Sequence, residues 1–108
     1  MTERAYELDA RVSSAVFRAI DDLNQMLPQE HWLAKSHETP ILGPTAVLDS
    51  MGFVNLIAAV EESVAAELGL TVSLLGREER RGAFKTVGTL VTYISEVLTA
   101  KAAAIHID

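Results

Sequence analysis

The sequence predicts a small all-α fold, a four-helix bundle of three long helices and one short one, with a long loop between the first two. Three observations predict it. Apolar residues recur at steps of three and four over three separate stretches, the spacing of helices that each bury one face. No stretch alternates apolar and polar residues long enough for a strand; the TVSLL run at 71–75 is too short. Pro28, Pro40 and Pro44, the only prolines, all fall in one connection.

The first helix is expected over about 4–27, with Leu8, Val12, Val16, Ile20, Leu23 and Leu27 as its apolar stripe. Glu3, Glu7 and Asp9 crowd its start, where acids suit the positive end of the helix dipole, and Pro28 marks its end. Residues 28–49 read as a long ordered loop, or as a loop with one short turn of helix inside it. Its Trp32, Leu33, Ile41, Leu42, Val47 and Leu48 are expected to pack onto the body.

The second helix is expected over 50–68, with Phe53, Leu56, Ile57, Val60, Val64 and Leu68 facing the core and Gly69 as its stop. A short charged helix is expected at about 77–84. A last helix follows at about 87–103, capped by Thr86 and packed through Val87, Leu90, Val91, Ile94 and Leu98.

A chain of 108 residues has room for one modest core, so residues 1–108 read as a single domain. No apolar run approaches the eighteen or so residues a membrane span needs. The start, MTERAYELDARV, is charged and lacks the hydrophobic core of a secretory signal, so a cytoplasmic protein is expected. The absence of cysteine removes disulfides, thiolate metal sites and a protein thiol nucleophile together. His31, His37 and His106 are scattered, without the spacing of a metal site.

A net charge of −6 argues against nucleic acid as partner. Between Lys35 and Arg77 there is no basic residue, whereas Glu38, Asp49, Glu61, Glu62 and Glu67 all lie there. That segment should attract a partner with a basic surface. Nothing in the pattern demands more than a monomer.

The stretch VLDSMGFVNLIA at 47–58 places Ser50 where the second helix begins. By spacing alone Ser50 reads as an N-cap, and Asp49 could cap equally well. No GxSxG turn surrounds the serine and no histidine lies at a triad spacing, so nothing points to a hydrolase or to any enzyme in its own right. Opposite the core stripe, the helix carries Met51, Val54, Ala58 and Ala65, flanked by Asn55, Glu61 and Glu62. This strip reads either as a docking surface, apolar for area and acidic for orientation, or as side chains tucked under the long loop.

LDSMGFVNLIAAVEE resembles the modification motif of the phosphopantetheine-binding acyl and peptidyl carrier proteins, and KTVGTLVTYI resembles the start of that family's final helix. The likeness runs from the first helix to about Leu98. It implies the four-helix acyl-carrier bundle, and it implies that Ser50 accepts 4′-phosphopantetheine from coenzyme A through a magnesium-dependent phosphopantetheinyl transferase. The arm would hold an acyl or aminoacyl group as a thioester, and the carrier would perform no chemistry. Asp49 would belong to the motif the transferase reads. Met51, Val54, Asn55, Ala58, Glu61 and Glu62 would meet acyl-loading and acyl-processing enzymes through basic docking surfaces. Gly52 would leave room for the arm.

The physics of the position agrees in part. A helix N-terminus favours a phosphate by roughly 0.3–1 kcal/mol. Asp49 opposes it: a like charge about 6 Å away costs roughly 0.7 kcal/mol in water and about 3 at an effective dielectric of 20.

Three features depart from the family. Met51 stands for the usual leucine, Asn55 for a frequent acid, and GREERRGAFK at 76–85 is net basic where carriers of fatty acid synthesis are acidic. The first helix and the following loop are also long. These point to a specialised discrete carrier in fatty acid, lipid or polyketide-type biosynthesis. A peptidyl carrier and a never-modified helical adaptor remain the alternatives.

Overall fold

The computed structural model describes the backbone of residues 2–74 and 82–105 and the side chains of 7–74 and 82–101. Three helices order it: α1 (Thr2–Asn24), α2 (Ser50–Leu68) and α3 (Val87–Ile105), with a 3-10 turn at Gln29–His31. No strand occurs among the described residues; a lone antiparallel bridge joins Pro40 to Thr86. The short helix expected at 77–84 falls mostly outside the described residues, and its last three, 82–84, form a 3-10 turn.

The apolar stripes meet in one core. Val12, Val16, Ile20 and Leu23 of α1 are buried with Leu56, Ile57, Val60 and Val64 of α2 and with Val87, Leu90, Ile94 and Leu98 of α3. Each such side chain removed from water contributes roughly 1.5–3 kcal/mol toward the entropy cost of folding. Phe53 and Leu68 sit at the core's edge, half-buried.

Ala15 and Ala19 are fully buried, and small residues there let α2 approach α1. At that approach the Ser63 hydroxyl donates to Ala15 O at 2.7 Å, and Arg11 Nη2 donates to Glu67 O at 2.8 Å. The two contacts pair rising numbers in α1 with falling numbers in α2, so these helices run antiparallel.

Helix α1 ends at Asn24 rather than at Leu27. Met26 N and Leu27 N bond to the i−3 carbonyls of Leu23 and Asn24, tightening the last turn before Pro28. The reason lies in Asn24, which is buried and grips the loop: its Nδ2 donates to Leu33 O at 3.0 Å and its Oδ1 accepts from Leu33 N at 2.8 Å. This clamp buries Leu33. Further on, Ile41 is fully buried, while Leu42 and Leu48 are half-buried. Trp32 and Val47, expected to pack inward, stay about half exposed instead. The Trp32 indole N–H is held by Leu27 O at 3.0 Å, outside the core.

The loop then seals the start of α3. Val87 N donates to Thr39 O, Gly88 N to His37 O, and Thr89 N to the Thr86 hydroxyl, while Thr86 N reaches back to Thr89 Oγ1. Gly88 is required for this approach: a Cβ there would lie 3.0 Å from His37 O and 3.3 Å from His37 Cβ. Ile41 N adds a bond to Lys85 O at 2.7 Å.

Candidate functional site

The N-terminus of α2 is built differently from that of α3. Asp49 is its N-cap, in extended conformation, and its Oδ1 accepts from Gly52 N at 2.7 Å. Ser50 is the first helical residue, so its hydroxyl is not the cap. That hydroxyl is exposed and has no partner among the described residues. The N–H groups of Asp49, Ser50 and Met51 likewise have no acceptor there, although all four leading N–H groups of α3 are bonded or helical. Positive partial charge therefore remains on these N–H groups near the Ser50 oxygen, offset by the Asp49 carboxylate that caps the turn.

Gly52 serves the cap. A Cβ at this position would meet Leu48 Cδ2 at 3.1 Å and Asp49 Oδ1 at 3.2 Å. Its missing side chain lets Leu48 and the Asp49 carboxylate fold over the first turn, which gives this glycine a packing reason of its own. Below it Phe53 meets Phe84 edge-on at 5.9 Å, and Phe84 lies 6.0 Å from Tyr93 of α3. This aromatic chain anchors the first turn of α2 to α3. The helical period does not announce it, since Phe53 and Phe84 lie about thirty positions apart and Phe84 falls outside both helices.

Of the expected docking residues, Met51 and Val54 are exposed, at 69% and 43%, which rejects the alternative that the long loop covers them. Asn55, Glu62 and Ala65 are exposed and Ala58 is half-buried. Glu61 is less open than Glu62. It is half-buried, and its Oε2 accepts from Leu74 N at 2.7 Å, holding the segment after α2 against the helix. One of its carboxylate oxygens is thus engaged within the fold.

The other polar cluster lies elsewhere. Ser13 Oγ and His37 Nε2 are 3.0 Å apart, with the His37 ring edge-on to Phe17 at 5.5 Å, a contact that docks the loop on α1. Among the described residues no histidine is bonded to Ser50. Among the described residues no group of His, Cys, Asp and Glu has the arrangement to hold a metal ion, and no helix is long and apolar enough to cross a membrane. The basic cluster Arg77, Arg80 and Arg81 and the histidine His106 lie outside the described residues.

The site offers one accessible hydroxyl, set at an open helix N-terminus, between a capping acid and an exposed apolar strip. Comparison with models of protein families, with curated proteins and with solved structures finds no match.

Proposed function

We propose that this chain is a carrier protein of the acyl-carrier type, in which Ser50 is the attachment point of a 4′-phosphopantetheine arm. The observation that carries the reading is the unpartnered, exposed Ser50 hydroxyl at the Asp49-capped N-terminus of α2. In this reading Ser50 Oγ attacks the β-phosphorus of coenzyme A in the active site of a separate transferase. A phosphodiester forms, adenosine 3′,5′-bisphosphate leaves, and the hydroxyl proton passes to a base of the transferase. The N–H groups of Ser50 and Met51 favour the resulting anion, while the Asp49 carboxylate that caps the same turn opposes it. When bound, the arm supplies the terminal thiol that this cysteine-free chain lacks, and an acyl group rides on it as a thioester.

The remaining parts of the proposal follow the resemblance. Asp49 takes part in transferase recognition in addition to capping α2. Met51, Val54, Asn55, Ala58, Glu61 and Glu62 form the docking strip for loading and processing enzymes with basic surfaces. A short helix over 77–84 completes the four-helix bundle, the protein acts in the cytoplasm as a monomer, and it performs no catalysis itself.

The test is intact mass after incubation with coenzyme A, magnesium and a broad-specificity phosphopantetheinyl transferase, with Ser50→Ala beside it. Because Asp49 rather than Ser50 caps α2, the variant should fold normally. The expected result is one pantetheine addition, absent from Ser50→Ala. No addition to folded wild-type protein would sink the proposal and favour an unmodified helical adaptor.

A further inference from the structure

Five large apolar side chains are exposed among the described residues: Met26, Trp32, Val47, Met51 and Val54. Scattered exposed hydrophobics are ordinary, but a grouping of them marks an interaction surface. All five belong to one end of the bundle. Since α1 and α2 are antiparallel, the residues that follow α1 and the first turn of α2 share that end. Val47, Met51 and Val54 flank Ser50, whereas Met26 follows α1 and Trp32 closes the 3-10 turn beyond it.

Trp32 is prepared for contact. Its single donor, the indole N–H, is spent on Leu27 O, so the half of the ring that meets water offers apolar surface only. A ring already pinned loses little further freedom on binding. Tryptophan and methionine are also enriched in the buried centres of interfaces.

The charges say what kind of surface would cover it. From 19 to 76 the only cation is Lys35, and that side chain is paired with Asp21 at 3.1 Å. Asp22 and Glu30 lie close in sequence to Met26 and Trp32, and all of them are exposed. Asp49 and Glu62, also exposed, belong to the α2 side.

We propose that Met26 and Trp32 form a second docking patch, engaged together with Met51 and Val54 by a protein partner whose contact surface is apolar at its centre and rimmed by lysine or arginine. This rests on the carrier reading, since the partner is one that comes to Ser50. It extends the interface from α2 onto the turn that follows α1.

The probe is a broad-specificity phosphopantetheinyl transferase. Trp32 is the only tryptophan, so fluorotryptophan labelling yields one fluorine resonance that the unlabelled transferase does not obscure. With Ser50→Ala protein to prevent turnover, adding transferase and coenzyme A at low salt should shift or broaden that resonance, and added salt should reverse the effect. In wild-type background, Trp32→Ala and Met26→Ala should each raise KM for loading about tenfold with kcat unchanged, the loss of one interface anchor. Trp32→Phe should recover most of it.

Mass addition at Ser50 with an unmoved resonance and unchanged KM overturns the patch and leaves the carrier reading standing. No mass addition overturns both. A resonance that stays put with transferase and moves only once Ser50 carries an octanoyl-pantetheine arm assigns the patch to the carried chain and overturns a protein partner. Trp32 lies outside the core, so circular dichroism should show Trp32→Ala folded; were it not, the resonance and Met26→Ala still decide.

Discussion

Asp49 holds two positions at once. As N-cap it accepts the Gly52 N–H, and as the residue before Ser50 it sits where the carrier motif has its acid. The two roles separate by substitution. Asparagine caps as well as aspartate, whereas alanine at an N-cap costs about 1 kcal/mol. Asp49→Ala should therefore lower Tm by about 4–8 °C, while Asp49→Asn should leave it within a degree or two. If the carboxylate is read by the transferase, both variants load slowly despite this difference in stability. An Asp49→Asn protein that loads at the wild-type rate would confine Asp49 to capping. By spacing alone Ser50 read as a cap, and it became a candidate only through the resemblance of LDSMGFVNLIAAVEE and KTVGTLVTYI to the carrier motifs. Which of the two residues capped was open, because both side chains suit the position and only the backbone geometry at Asp49 separates them.

Among the elements, the long loop is the one whose behaviour depends most on single contacts. Asn24 closes α1 and satisfies both backbone groups of Leu33, and the bonds of His37, Thr39 and Ile41 then tie the loop to the start of α3. Asn24→Ala would leave the buried Leu33 N–H and C=O without partners. At roughly 1–3 kcal/mol for an unsatisfied buried group, partly offset by water entry, a loss of about 2–3 kcal/mol is expected by urea unfolding. Amide exchange at Leu33 should accelerate along with it, and an unchanged exchange rate would show that the clamp does not hold the loop. The helical stripes were readable because a period of 3.6 repeats locally within each segment. The ends were less so: α1 stops early because of a side chain that bonds nine residues ahead, a partner that no local pattern announces. The inward packing expected of Trp32 and Val47 failed for a related reason. Apolar character says a side chain prefers burial, but the loop had already filled its core positions with Leu33 and Ile41.

Across the whole molecule the acidic segment faces out unevenly. Glu62 is exposed, but Glu61 is bonded to Leu74 N and half-buried. Reversing the two charges should thus have different consequences. Glu62→Lys should leave stability within about 0.5 kcal/mol of wild type, as for most surface changes, and should slow transferase loading more at low salt than at high. Glu61→Lys should also destabilise the fold, by about 1–3 kcal/mol, because the Leu74 N–H loses its acceptor. Equal stability of the two variants in thermal unfolding would mean that the Glu61 contact is not structural.

The sequence by itself determined the all-helical class, the three buried stripes and the residues that begin and end α2, because each follows from local spacing and local backbone preference. It also brought Ser50 forward as the residue to test. Only the tertiary structure decided that Asp49 caps, that Gly52 is a packing residue, that Glu61 is engaged inside the fold, and that the exposed apolar side chains gather at the Ser50 end. The first two turn on the backbone conformation where the loop enters α2, and the last two on which segments the returning chain and the antiparallel packing of α1 and α2 bring together. Arrangements of that kind are set by packing, not by sequence period.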